Sequence, residues 1–161
     1  MKTTLFAFFF SASLAVAGTP IAFQQLSAGD SIHVKFTSTG CWHDVAYEFD
    51  FQHAASFTVK VAEIKHRWNE AKQRLEEVKR IPLGTVILTE AEIAGLDRLF
   101  IFYRSCKGLG CTTVDRITAT QKSSDAIKAT ESFTDGTCAT YAMKNLTRLP
   151  SIAVKLKPKT R

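Results

Sequence analysis

Of the 161 residues, the 144 that follow residue 17 make one ordinary domain by length. A chain of that size buries about 68–70% of its unfolded surface, which excludes a fold dependent on disulfides for its core. The formal charge of +6 is concentrated at the end: Lys144, Arg148, Lys155, Lys157, Lys159 and Arg161 face no acid beyond residue 143, while residues 18–143 hold 14 basic against 15 acidic side chains. A nucleic-acid-binding domain needs a basic face across the fold itself, and this distribution argues against one.

Met1-Lys2 opens the chain with one side-chain positive charge. Leu5 to Ala17 is apolar apart from Ser11 and Ser13, and it closes on Ala15-Val16-Ala17 before Gly18. Charged start, short apolar centre and small residues at the −3 and −1 positions predict a secretory signal peptide over 1–17. The alternative, a membrane anchor, needs ~20 apolar residues, and this segment is only 13 residues long. The expected mature domain is therefore 18–161, secreted or periplasmic, with a basic tail over about 144–161.

Gly18 to Ser31 reads as a leader of small and polar residues. Ile32, Val34 and Phe36 then alternate with His33, Lys35 and Thr37, the period of a half-buried strand. Val45, Tyr47, Phe49 and Phe51 repeat the pattern, as do Phe57, Val59 and Val61, so a three-stranded antiparallel meander is expected. Over 66–80 the period changes. Trp68, Ala71, Leu75 and Val78 recur every three or four residues among good helix formers and predict a helix; the competing reading is a long polar strand pair continuing the meander. Leu83 to Leu88 suggests a short strand. Thr89 and Glu92 form a capping box, and Ile93, Leu96, Leu99, Phe100 and Tyr103 follow at helical spacing, predicting a helix over about 90–105.

Thr112–Gln121 and Ala126–Phe133, divided by Ser123-Ser124-Asp125, predict a second hairpin. Residues 138–149 fit a weak helix or a strand, and Ile152, Val154 and Leu156 alternate with lysine as a last edge strand would. The expected class is α+β: a mostly antiparallel sheet, with an N-terminal three-stranded meander and a C-terminal hairpin, packed with one or two helices.

Cys41, Cys106, Cys111 and Cys138 survive signal cleavage, an even number that implies two disulfides outside the cytoplasm. Three connectivities are open, and 106–111 with 41–138 is favoured; the long loop would contribute about 4.7 kcal/mol and the small ring about 2 kcal/mol. No C-x-x-C occurs, and His33, His43, His53 and His66 form neither H-x-x-x-H nor H-E-x-x-H, so neither metal nor cofactor is expected. There is no G-x-S-x-G. Glu90 and Glu92 are accounted for by capping and Asp97 by the exposed helix face; with Asp115 they do not cluster along the chain. His43 and Asp44 are strand neighbours whose side chains point to opposite faces, which counts against a catalytic pair. Asn145-Leu146-Thr147 is an N-glycosylation acceptor.

The function expected from these features is non-catalytic binding, with Trp42, His43, Lys155, Lys157 and Lys159 as contacts to a protein or an anionic envelope surface. The alternative is a small exported, hydrolase-like enzyme whose site assembles from distant residues. A concave pocket around His43 or Asp115 would favour that alternative.

Overall fold

The computed structural model describes residues 19–41, 43–105, 110, 112–137 and 145–156. The expected signal segment, Trp42, Cys106, Cys111, Cys138, Lys157 and Lys159 lie outside them. Six strands form one antiparallel sheet: β1 (Ser31–Gly40), β2 (His43–His53), β3 (Phe57–Asn69), β4 (Arg74–Ile87), β5 (Val114–Ser123) and β6 (Ala126–Asp135). Their spatial order is β4-β3-β2-β1-β5-β6. The meander thus runs to four strands, and the second hairpin joins its free edge through β1 rather than standing apart. Helix α1 (Glu90–Ser105) links the two halves, and α2 (Asn145–Leu156) follows β6.

Alternation decides which face of the sheet is covered. Val34 lies opposite Phe49 on β2 and Ala119 on β5, and Phe49 lies opposite Val61 on β3. Cross-strand partners share a face, so these apolar rows make one continuous inner surface. Leu96, Leu99, Phe100 and Tyr103 of α1, and Leu146, Leu149 and Ala153 of α2, complete the core against it. The Thr89–Glu92 capping box forms as its residue types dictate: Glu92 accepts from the Thr89 backbone N–H at 2.8 Å, and Thr89 Oγ1 accepts from the Glu92 N–H at 3.3 Å. The β5–β6 turn places Ser124 and Asp125 at φ 47° and 69°, the backbone of a type I′ turn.

Three expectations are overturned. Residues 66–80 are the paired ends of β3 and β4, the competing reading, because Trp68, Leu75 and Val78 find no core to face: each is more than half exposed. A helix at that position would need a buried stripe. Ile152–Leu156 belongs to α2 rather than to an edge strand. Leu146, Leu149 and Ala153 are buried at helical spacing, and the helix continues through Pro150 although proline removes one of its hydrogen bonds. The backbone of α2 approaches so closely that a Cβ on Gly84 would lie 2.9 Å from the Ala153 carbonyl oxygen.

The third correction concerns the leader. Ile21, Phe23 and Leu26 are among the most buried side chains. Phe23 lies edge-on to Phe51 of the sheet at 4.9 Å and to Phe100 of α1 at 5.0 Å. Asp97 accepts from the backbone N–H groups of Phe23 (2.6 Å) and Gln24 (3.0 Å), so it anchors this segment rather than decorating an exposed face. Arg104 grips Glu131 of β6 with two hydrogen bonds of 2.7 Å and donates a third to the Ile21 carbonyl at 2.6 Å. Emptying the middle of this joint is expected to be severe: Phe23→Ala should lose about 3–5 kcal/mol of stability in urea unfolding, a value typical of a fully buried aromatic.

Candidate functional site

Beyond Phe36, the inner face turns polar. Continuing the β1 period outward brings Ser38, buried and opposite both Val45 on β2 and Asp115 on β5. Asp115 in turn lies opposite Asp135 on β6. His43 starts β2 on this same inner face, while Asp44 is absent from the cleft lining described below. The adjoining wall is built by Leu99 and Tyr103 from α1 and by Leu146, Arg148, Ile152 and Lys155 from α2. These elements enclose a cleft of about 580 Å³, with Thr113, Thr147 and Ser151 also at its surface.

The polar end of this cleft is connected. Ser38 Oγ lies 2.9 Å from His43 Nε2, and Ser38 is the cross-strand partner of Asp115. Asp135, 2% exposed, accepts from the backbone N–H and the hydroxyl of Thr137 at 2.9 and 2.5 Å. Asp115 Oδ1 is buried and has no hydrogen-bond partner among the described residues. Burial pushes the Asp115 carboxyl above the ordinary aspartate range; the Ser38 hydrogen bond opposes that, the Asp135 charge adds to it, and His43 opposes it again.

Sequence reasoning placed His43 and Lys155 among the contact residues, and both line the cleft, one at each side. Asp115 was named without a partner. Asp135 and Ser38 were missed. Their signal was hairpin register: counting outward from Ser124-Asp125 brings Asp115 to within one residue of Asp135, and a bulge at Gln121/Lys122 closes the difference. The remaining histidines are dispersed: His33 Nδ1 lies 2.5 Å from Asp50, His53 Nδ1 donates to the Leu26 carbonyl at 2.6 Å, and His66 is exposed. Among the described residues no three His, Cys, Asp or Glu side chains gather to hold a metal. No described helix is long and apolar enough to cross a membrane. Cys41 is exposed and unbridged at the end of β1; the two expected pairings involve residues outside those described.

No protein-family model matches the chain, and no curated protein is significantly similar to it.

The raised Asp115 carboxyl carries a sign that can be measured. Below about pH 4 the residue is protonated in both folded and unfolded chains. As pH rises, the unfolded chain ionises first, so the folded state loses stability until the higher folded pKa is passed. Asp115→Asn has no proton to lose. The stability of this variant relative to the native chain should therefore increase as pH climbs from about 4 and level off above the folded pKa, read from thermal unfolding across pH. An advantage that shrank with rising pH would contradict the buried carboxyl.

Proposed function

We propose that the chain is a binding domain whose ligand is a small molecule with an apolar body and a hydroxyl or ammonium donor. The observation that carries this reading is the Asp115 oxygen, enclosed in the cleft wall with no donor among the described residues. A buried acceptor without a partner is destabilising by about 1–3 kcal/mol, and a ligand donor would relieve it. Phe36, Val45, Tyr47, Leu99, Leu146 and Ile152 suit the apolar body, and the cleft volume falls in the ordinary range for small-molecule sites. Arg148 and Lys155 at the α2 side favour any negative group at the ligand's other end.

The test is a thermal-shift panel of small aromatic and branched aliphatic amines, alcohols and their hydrocarbon parents. Amines and alcohols should raise the melting temperature above the effect of the parent hydrocarbons. In Asp115→Asn that preference should fall by about 1–3 kcal/mol. Equal shifts in both proteins would sink the reading.

A second reading, a hydrolase-like enzyme, is favoured by the concave cleft that holds both His43 and Asp115, with Ser38 2.9 Å from His43 beside a carboxyl of raised pKa. Release of p-nitrophenolate from p-nitrophenyl esters by the native chain but not by Asp115→Asn would support it.

We also propose that the protein is exported and its four cysteines oxidised in pairs, on the strength of the pattern in residues 1–17. An exposed Cys41 leaves its thiol accessible to a partner cysteine. Intact mass measurement of the natural protein should find a chain beginning at Gly18 and lacking four thiol hydrogens. A Met1 start with four alkylatable thiols would contradict both statements.

A further inference from the structure

The cleft is bordered by charges of both signs, and the two signs come from different walls. Asp115 and Asp135, cross-strand partners on β5 and β6, belong to its sheet side together with His43. Arg148 and Lys155 border it from α2. Lys155 follows Arg148 by seven residues, two helical turns or about 10.5 Å of rise. The two cations therefore share a helix face with Ser151 and Ile152, which also line the cleft. The charges that act on the Asp115 carboxyl are those of Asp135 and His43, and neither α2 cation is among them. One pole is acidic and recessed, with Asp135 buried and Asp115 half-buried; the other is basic and exposed at the rim.

The basic pole is not neutralised by its surroundings. No acid follows Asp135 in the chain, so α2 and the residues after it contribute only positive charge. The ion pairs among the described residues engage neither Arg148 nor Lys155. Arg148 also borders a small hollow that it shares with Glu92, so Lys155 is the less compensated of the two. Glu63 lies opposite Tyr47 of the cleft, but it is paired with Lys65. The only acids in the cleft lining are Asp115 and Asp135. The rest of that lining is largely apolar, with Phe36, Val45, Leu99 and Leu146 among it.

We propose that the ligand of this cleft is a zwitterion, with an ammonium at one end, a carboxylate at the other and an apolar body between them. This rests on the binding reading above, in which a ligand donor meets Asp115. The addition is a second charge, of opposite sign and on the same molecule, held at the α2 rim. Like charges select the order of the two ends. A dicarboxylate would set one anion against Asp115 and Asp135, and a diamine would set one cation against Arg148 and Lys155. Because the poles lie on different walls of a cleft of about 580 Å³, the ligand's charges are several bonds apart rather than on adjacent atoms, as they are in a free α-amino acid.

The experiment is calorimetric titration of the full-length chain with ω-aminohexanoate and ω-aminooctanoate. The controls are hexylamine and octylamine, hexanoate and octanoate, and norleucine, the isomer of ω-aminohexanoate with both charges at one end. At least one ω-amino acid should bind about threefold or more tighter than the amine of its own length, a typical strength for ion pairs at an exposed rim. That ratio should fall to about one in Arg148→Gln with Lys155→Gln, and in the native chain it should shrink as salt is added, a readout that stands if the double variant does not fold. Amines that bind as tightly as the ω-amino acids would overturn the zwitterion and leave the binding reading intact. Norleucine binding as tightly as ω-aminohexanoate, or the carboxylates outbinding both, would overturn it too. Heat from none of these molecules would remove the binding reading along with it.

Discussion

Everything in this fold is referred to one joint, the burial of Phe23 between Phe51 of the sheet and Phe100 of α1. An aromatic ring wedged edge-on between two others resists both sliding and tilting, since either motion opens a void among close-packed atoms. The polar groups around it act in the same direction. Asp97 holds the backbone on either side of the wedge, and Arg104, one hydrogen-bond network along the helix, ties Ile21 to Glu131 at the opposite edge of the sheet. A segment of eight residues, 19–26, thereby locks a helix to both halves of a six-stranded sheet.

The cleft is a consequence of that lock. Leu99 and Tyr103 can line it because α1 is fixed across the sheet, and Tyr103 is further held by stacking on Phe133 at 5.4 Å. From the other side α2 is seated by its contact at Gly84, whose φ of +148° and lack of a side chain admit the helix backbone. Between these supports the protein keeps Asp115 in a setting that raises its pKa. A carboxyl oxygen buried without a partner among the described residues reduces the stability of its own fold.

The charged face of the sheet serves a different end. His33, Lys35, Glu48, Asp50 and Arg80 lie together there, with Glu48 buried to 6% exposure beneath Arg80. The hydrogen bond from His33 is the main reason the Asp50 carboxyl sits below the ordinary aspartate range, with the Arg80 charge assisting. This network stands where the β3–β4 pair runs on beyond its pairing with β2.

By itself the sequence determined what is local. Strict alternation identified β1, β2 and the start of β3, because one residue in two must face the core, and the Thr89–Glu92 box with its apolar stripe placed α1. The hairpin turn at Ser124-Asp125 was legible for the same reason. Tertiary structure alone decided the rest. Residues 66–80 have helical spacing and helix-forming composition, yet pairing with a neighbouring strand outweighs a propensity of tenths of a kcal/mol per residue. The Ile152–Leu156 alternation is equally compatible with a helix once Leu146 and Leu149 are buried beside it. Most of all, Ser38, His43, Asp115 and Asp135 come from four different strands. Only strand order and a one-residue bulge put them on one face, and neither is written in any local pattern.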